Sequence, residues 1–316
     1  MSMRLIFKTL RSILVIFVSL VSMSMTPLSL SSGWNCPSDH LPVGVTLESS
    51  DLPKPISVIS WNILNSLWIP YIEQDAETNG MKESAILKLD RIIEGTSYTE
   101  RELKVNELIQ SILWGQMQRG RSPILLLQEV STPMRKLIEK DIPQQLCILA
   151  TDPGFNDLGL VIYDQEILVV EEYEVIHGLY SRDRDNFVQD VIFSIRGSEQ
   201  RLRIINTHIP GGEGSCGPQE FSSYLQATFK PGMPTLAAGD MNVESPEVDS
   251  ALKEAFNGAS PFAPVVQSYG TYINSSNKLL QYDQILFSLH QVDSLNAFPL
   301  DPTGIEGIVA DYLSGL

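Results

Sequence analysis

Polar residues able to do acid–base or metal chemistry stand at the ends of apolar runs in five places along this sequence. Asn62 closes Val58-Ile59-Ser60-Trp61, Glu129 closes Ile124-Leu125-Leu126-Leu127-Gln128, and His208 closes Leu202-Arg203-Ile204-Ile205-Asn206-Thr207. Asp240 and Asn242 follow Leu236-Ala237-Ala238-Gly239, and Asp283 opens Gln284-Ile285-Leu286-Phe287. Apolar runs of this length read as buried strands, and a buried sheet would present their polar ends at one rim. The inventory is carboxylates, amides and imidazoles, without a cluster of thiolates. Hard oxygen donors in small number suit Mg2+, with Mn2+ as the alternative, since such an ion keeps several waters and shares its remaining positions with a substrate phosphate. An imidazole or aspartate beside it would handle protons. Each residue alone has an ordinary explanation, a solvated strand end or a Gly-Asp turn. The recurrence is what carries weight.

The order of these clusters resembles a known family. Trp61-Asn62-Ile63, Leu127-Gln128-Glu129-Val130, Asn206-Thr207-His208, Gly239-Asp240-Met241-Asn242 and Tyr282-Asp283-Gln284-Ile285 are similar to the successive motifs of the endonuclease/exonuclease/phosphatase family. That family includes deoxyribonuclease I, poly(A) deadenylases, neutral sphingomyelinases and inositol-polyphosphate phosphatases. The resemblance runs from about Asp39 to Ser288. It implies an α/β fold, a four-layer α/β/β/α sandwich of two mixed β-sheets flanked by helices, with the site at one rim.

Members of the family normally end on a Ser-Asp-His-x-Pro motif whose histidine is catalytic. Here Ser38-Asp39-His40-Leu41-Pro42 stands near the front of the chain, followed by Val43-Gly44-Val45-Thr46-Leu47 as a plausible strand. The expectation is a circular permutation in which Glu48–Pro55 joins the family's last and first strands. Such rearrangements succeed where the break falls in an exposed loop and the original ends lie close together. The alternative is an accidental Asp-His pair in a tail ahead of the domain.

The resemblance also implies roles. Asn62, Glu129 and Asp39 surround the metal, directly or through water. His40, oriented by Asp283, takes a proton from the attacking water, while Asp240 and Asn242 orient the nucleophile and the phosphate. His208 donates to a non-bridging phosphate oxygen. Whether His40 or Asp240 is the base stays open. His177 and His290 lie outside the motifs and read as structural or surface residues. Arg182 and Arg184 alternate with Asp183 and Asp185, which suits local pairing as well as phosphate binding. The glycine-rich stretch Gly211–Gly217 follows His208 and is either a close approach to substrate or a flexible connection.

The elements that would position these residues can be read from the pattern. Strands are expected at Val43–Leu47, Ile56–Leu64, Ile124–Gln128, Leu158–Tyr163, Phe187–Ile195, Leu202–Thr207, Thr235–Ala238 and Leu279–Phe287. A capping box at Ser97-x-x-Glu100 opens a helix carrying Leu103, Val105, Leu108, Ile109 and Ile112. A second helix is expected over Met134–Gln145, limited by Pro143, and a third over Val248–Phe256, capped by Ser245 with Pro246 at its first position. Asp75–Ser84 reads as a polar excursion.

The chain has 316 residues, 43% of them hydrophobic and 19% charged, and a formal charge of −16. It is long enough for a substantial core. Arg4, Lys8 and Arg11 precede the apolar run Ile13–Val21, then Ser- and Met-rich sequence to Gly33, which together read as a signal peptide over 1–33, or an anchor if uncleaved. Residues 34–316 are then expected to form a single catalytic domain, secreted or periplasmic. Bulk negative charge repels nucleic acid and anionic lipid, which argues against tight metal-free gripping of a polyanion. Cys36, Cys147 and Cys216 are compatible with one disulfide and a free thiol. The expectation is therefore a monomeric, Mg2+-dependent phosphoesterase without an organic cofactor. Its substrate is a phosphate ester, nucleic acid first. The alternatives are a phosphoinositide or sphingomyelin-type phospholipid substrate, and a non-catalytic interaction protein on the same scaffold.

Overall fold

Along each central strand of the protein, alternate residues enter two different cores. The computed structural model describes residues 37–70, 74, 98–152, 154, 157–180, 186–211, 215–265, 271–273, 279–288 and 296–299. In chain order its elements begin with β1 (Val43–Glu48), β2 (Ile56–Asn62), α1 (Tyr98–Gln118), β3 (Ser122–Val130), α2 (Thr132–Asp141), β4 (Leu146–Ala150) and β5 (Leu158–Asp164). They continue with β6 (Leu168–His177), β7 (Phe187–Ile195), β8 (Arg201–His208), α3 (Gly217–Thr228), β9 (Thr235–Asp240) and α4 (Ser245–Ala255). Last come β10 (Phe262–Pro264), β11 (Tyr272–Ile273), β12 (Leu279–Leu280), β13 (Asp283–Ser288) and β14 (Asn296–Pro299).

Two mixed six-stranded sheets result, in the orders β14-β1-β2-β3-β5-β4 and β10-β13-β9-β8-β7-β6. Each has one parallel pair at its centre, β2/β3 in the first and β8/β9 in the second, with antiparallel pairs outside. Val43, Val45, Leu47, Ile56, Val58, Ile124 and Leu126 of the first sheet form one cluster with Val191, Phe193, Leu202, Ile204, Leu236, Ala238, Ile285 and Phe287 of the second. The residues between them in sequence face the other way. Ile205, Ala237 and Leu286 join Phe221, Leu225, Val248 and Leu252 of α3 and α4 in a separate cluster. The period of two thus builds both the inter-sheet layer and the helix layer. Two mixed sheets flanked, among the described residues, by four helices agree with the expected sandwich.

The expected strands all form, with one broken. Leu279–Phe287 splits at Gln281 and Tyr282 into β12 and β13, which belong to different sheets. Six elements were not legible: β4, β6, β10, β11, β14 and α3. β6 carries Glu171, Glu172 and Glu174 at the sheet edge, so its apolar alternation is diluted. β4 is a short edge strand, and α3 starts in a Gly-Pro turn that masks its helical spacing. In α1, Val105, Leu108, Ile109 and Ile112 are buried as expected, but Leu103 is 45% exposed. Ser131 caps α2, its Oγ accepting from the Met134 amide, so that helix starts earlier than expected and ends at Asp141. Glu244, not Ser245, takes the cap position of α4, and Ser245 lies in the first turn.

The described residues all fall within one compact unit of the chain, Asn35–Leu316. The 1–33 segment, Cys36, the Asp75–Ser84 excursion, Ser97, the Arg182–Asp185 group, residues 212–214 of the glycine-rich stretch and His290 lie outside the described residues. Among the described residues no helix is long and apolar enough to cross a membrane. Cys147 and Cys216 are both unbonded to another cysteine.

Candidate active site

The inter-sheet face changes character along its strands. Beyond Ile204 the next residue on that face of β8 is Asn206, whose Nδ2 donates to Gln189 Oε1 at 2.7 Å and whose Oδ1 accepts from Gln128 Nε2 at 2.7 Å. Gln128 also donates to Ser60 Oγ at 3.0 Å. This buried amide layer closes the apolar core, and one further step along each strand reaches the ionisable residues. His208 on β8, Asp240 on β9 and Asp283 on β13 are direct cross-strand neighbours, forming one row. The row depends on a close approach of β8 and β9. Gly239 has φ 156, and a Cβ there would lie 1.8 Å from the Thr207 carbonyl oxygen.

Glu129 reaches the site by breaking the alternation. It would face away from Gln128, but β3 bulges between Leu127 and Val130 and Glu129 adopts φ 56, a left-handed conformation that a non-glycine residue takes at a cost of about 1–2 kcal/mol. Its Oε1 accepts from Asn62 Nδ2 at 2.8 Å and its Oε2 from the Asn65 amide at 3.2 Å. Asn62, at the end of β2, also donates to Asp240 Oδ2 at 3.0 Å, while its Oδ1 accepts from the Leu64 amide at 3.0 Å. The amide group therefore turns its NH2 to two carboxylates and holds them in place.

His40 arrives from the segment ahead of β1, and Ser38, Trp61 and the backbone around it fix its place. Ser38 Oγ donates to the Asn62 carbonyl at 2.8 Å and accepts from the His40 amide at 3.1 Å. Trp61 Nε1 donates to the His40 carbonyl at 3.0 Å, and the Leu41 amide to that of Thr271 at 2.7 Å. The imidazole rests against Tyr272, ring centroids 4.7 Å apart. Its Nδ1 lies 2.8 Å from Asp283 Oδ2, which turns Nε2 toward Asp240 Oδ2 at 3.6 Å and Asp39 Oδ1 at 3.9 Å. His208 Nε2 lies 3.8 Å from the same Asp240 oxygen and 3.6 Å from Glu129 Oε1. Asp240 thus stands between two imidazoles.

The electrostatics follow from burial and charge. Burial opposes charge on His40, but Asp283, Asp240 and Asp39 together outweigh it and push its pKa up to about 10. Burial raises Asp283 to about 6 despite the opposing pull of His40. Glu129 is raised by burial and by Asp157 and Asp39, against the lowering effect of His208 and the Asn62 hydrogen bond.

Six of the eight residues singled out from sequence, Asp39, His40, Glu129, His208, Asp240 and Asn242, line one cavity of about 350 Å³. Asn62 and Asp283 are buried behind it, hydrogen-bonded to lining groups. Asn242, with φ 50, donates its backbone amide to Asp240 Oδ1 at 2.8 Å and its Nδ2 to the Ile209 carbonyl at 2.8 Å. Gly211 is a close approach rather than a slack link, since a Cβ there would meet Asn242 Oδ1 at 2.9 Å. His177 pairs across from Phe187 at the sheet edge and does not line the cavity. Sequence reasoning passed over Asp157, Asn186, Trp68 and Tyr272, which line it too. Asp157 precedes an apolar strand, so the rule that found the others reaches it. The aromatic pair carries no such signal.

No family model matches the sequence, and no curated protein does. Solved structures do match. A Bacteroides thetaiotaomicron mannosyl-6-phosphatase superposes with a TM-score of 0.51 over 74% of this chain and 86% of its own, at 12% identity. The human Nocturnin catalytic domain with bound sulfate gives 0.50 over 82% and 92%, at 17% identity. The chain has the endonuclease/exonuclease/phosphatase fold. TDP2 from Caenorhabditis elegans, at 15% identity and a TM-score of 0.46, matches over 62% of this chain, which spans about three fifths (62%) of that chain. The fold places the site at one rim of the sandwich, as the motif order implied.

Proposed function

We propose that the protein is a divalent-metal-dependent phosphoesterase that hydrolyses phosphodiesters. The observation that carries this reading is the alignment of His40, Asp240 and His208 around one cavity, with His40 braced by Asp283 and carboxylates alongside. A binding module has no use for a histidine–aspartate pair buried at a cavity floor.

The donor set fits a hard divalent cation. Asp39, Glu129, Asp157 and Asp240 all line the cavity, and Glu129 is raised first by burial and further by the neighbouring Asp157 and Asp39, so a cation among these oxygens would relieve it. Glu129 and Asp39 would hold the ion, with Asn62 aligning Glu129; oxygen donors of this kind favour Mg2+ or Mn2+. When bound, such an ion polarises the phosphoryl group and offsets charge on the leaving oxygen. The chain supplies the rest. His40 Nε2 and Asp240 Oδ2, 3.6 Å apart, flank the place of an attacking water and carry its proton. Asp283 fixes the imidazole so that Nε2 faces the cavity, the logic of other oriented catalytic histidines. His208 Nε2 is placed to donate to a non-bridging phosphate oxygen as charge grows there.

The cavity charge favours diesters. No Lys or Arg lines it among the described residues. Among the described residues a dianionic monoester would face four carboxylates opposed by a metal and two imidazoles, whereas a diester brings a single negative charge. The place of His40 beside Asp283, 243 residues on, supports a circular permutation of the family's motif order. Secretion directed by residues 1–33 completes the proposal.

The test is hydrolysis of RNA, DNA, a simple phosphodiester and phospholipid vesicles by the full chain, with Mg2+ and with chelator. Chelator-sensitive turnover that His40→Ala lowers by about 10²- to 10⁴-fold is expected. Turnover untouched by His40→Ala would remove His40 from the mechanism and the permutation with it. Binding without turnover on every substrate would return the chain to the non-catalytic alternative.

A further inference from the structure

The residues of the site come from both sheets. Asn62 and Glu129 lie on β2 and β3 of the first, and His208, Asp240 and Asp283 on β8, β9 and β13 of the second. Glu129 Oε1 and His208 Nε2 stand 3.6 Å apart across that boundary, and Asn62 Nδ2 and Asp240 Oδ2 3.0 Å apart. Deeper in the sandwich the two sheets meet through apolar side chains. Such packing is strong but non-directional, and it tolerates small shifts of one layer over the other. A site split between the sheets needs a contact with direction.

Asn206 supplies one. It is fully buried on β8, two residues before His208, and its side chain reaches across to the first sheet. Its Nδ2 donates to the Leu127 carbonyl at 3.2 Å and to the Leu160 carbonyl at 3.3 Å, and its Oδ1 accepts from Gln128 Nε2 at 2.7 Å. Leu127 and Leu160 form the last regular pair of β3 and β5 before the bulge that turns Glu129 into the site. A bulge interrupts the ladder, and buried backbone groups beside it must find partners elsewhere. Here one amide of the second sheet serves both carbonyls. Its remaining hydrogen goes to Gln189 Oε1 at 2.7 Å, and Gln189 donates to the Tyr173 hydroxyl at 3.1 Å, so the amide is oriented from its own sheet as well.

We infer that Asn206 is a positioning residue of the site: by tying the β3 bulge to β8, it sets the separation between Glu129 on one sheet and His208 and Asp240 on the other. The inference rests on the phosphoesterase reading for its effect on turnover, and not for the clamp itself. Asn206 does not line the cavity and acts through the residues that do.

Full-length Asn206→Leu, close to the native side chain in size, is compared with wild type and with Gln116→Leu. Gln116 is an equally buried amide bonded to Ser57 near the other end of β2, so its loss reports on stability alone. With Mg2+ and bis(4-nitrophenyl) phosphate, at a temperature where all three proteins are folded, Asn206→Leu should lower kcat roughly 10- to 100-fold and move KM less than about threefold. Mn2+ affinity, read by electron paramagnetic resonance without substrate, should fall roughly 10- to 100-fold in Asn206→Leu and stay level in Gln116→Leu. Amide hydrogen exchange without metal should quicken roughly 2- to 10-fold at residues 127–130 and 158–160, while α4 keeps its wild-type rates. Equal kcat losses in the two variants, unchanged Mn2+ affinity in Asn206→Leu, or exchange loosened evenly along the chain would each overturn the inference. If Asn206→Leu does not fold, Gln189→Met keeps Asn206 but removes the acceptor that orients it, and must show the same local pattern. No turnover by the wild type, with Mn2+ affinity and exchange at the bulge changed as expected, would sink the phosphoesterase reading and leave the clamp standing.

Discussion

The Asp283 carboxylate contributes in two ways to His40, through a 2.8 Å hydrogen bond and through charge, and the two can be separated by substitution. Asp283→Asn keeps a hydrogen-bonding group of similar shape but removes the charge. It should leave the fold intact, lower the His40 pKa and, by freeing the imidazole to turn, reduce kcat by about 10²- to 10⁴-fold, the range for a misplaced proton-handling group. The raised pKa also has a thermodynamic side. His40 sits near 10 in the metal-free fold against 6.5 as a free imidazole, so the folded state holds its proton more tightly. Its contribution to stability is complete below pH 6.5 and disappears as pH climbs toward 10. The stability difference between wild type and His40→Ala, measured by denaturant melts in chelator, should shrink across that window. A difference that grew with pH would contradict the arrangement. At this scale the sequence was informative because each ionisable residue ended or opened an apolar run. Trp68 and Tyr272 were not legible, since an aromatic residue in a loop has many ordinary uses and only the fold brings these two to one cavity.

Elements set the site through two departures from regular strand geometry. The bulge at Glu129 could not be read from Leu127-Gln128-Glu129-Val130, because alternation sends Glu129 to the wrong face. The glycine at 239 was visible as half of a Gly-Asp pair, though its purpose was not. With φ 156 and Thr207 O at 1.8 Å from any Cβ, Gly239→Ala forces β8 and β9 apart where His208 faces Asp240. It should destabilise the fold by at least about 1–3 kcal/mol and lower activity more than the loss of stability explains. Thermal melts beside kinetics at a temperature where both proteins are folded would check it; equal activity per folded molecule would contradict it. The strands themselves were legible wherever they are central and apolar on both faces. Edge strands such as β6, with glutamates toward solvent, were not, because period-two alternation there is overlaid by charge.

The whole molecule carries −16, and four of its carboxylates line the cavity. A nucleic-acid substrate therefore approaches against repulsion, in contrast to proteins that bind through basic patches and weaken as salt rises. Moderate salt should screen this repulsion and lower KM for a polyanionic substrate, while leaving KM for a dinucleotide nearly unchanged. Steady-state kinetics between low and physiological ionic strength on both substrates decides it. A KM for the polymer that rises steadily with salt would point to a basic surface elsewhere on the chain. That the two sheets stack face to face was implied by the motif order and not by the strand pattern, which is the same for one sheet or two.

His40 and Asp283 touch across 243 residues of intervening chain. During synthesis the histidine is among the first parts of the domain to leave the ribosome and its partner among the last. Strands β1 to β12 are made in between. A nascent or prematurely terminated chain ending before residue 283 carries a complete His40 segment and no means of orienting it. On the proposed reading, hydrolysis would wait on translation through Asp283, whose carboxylate orients His40.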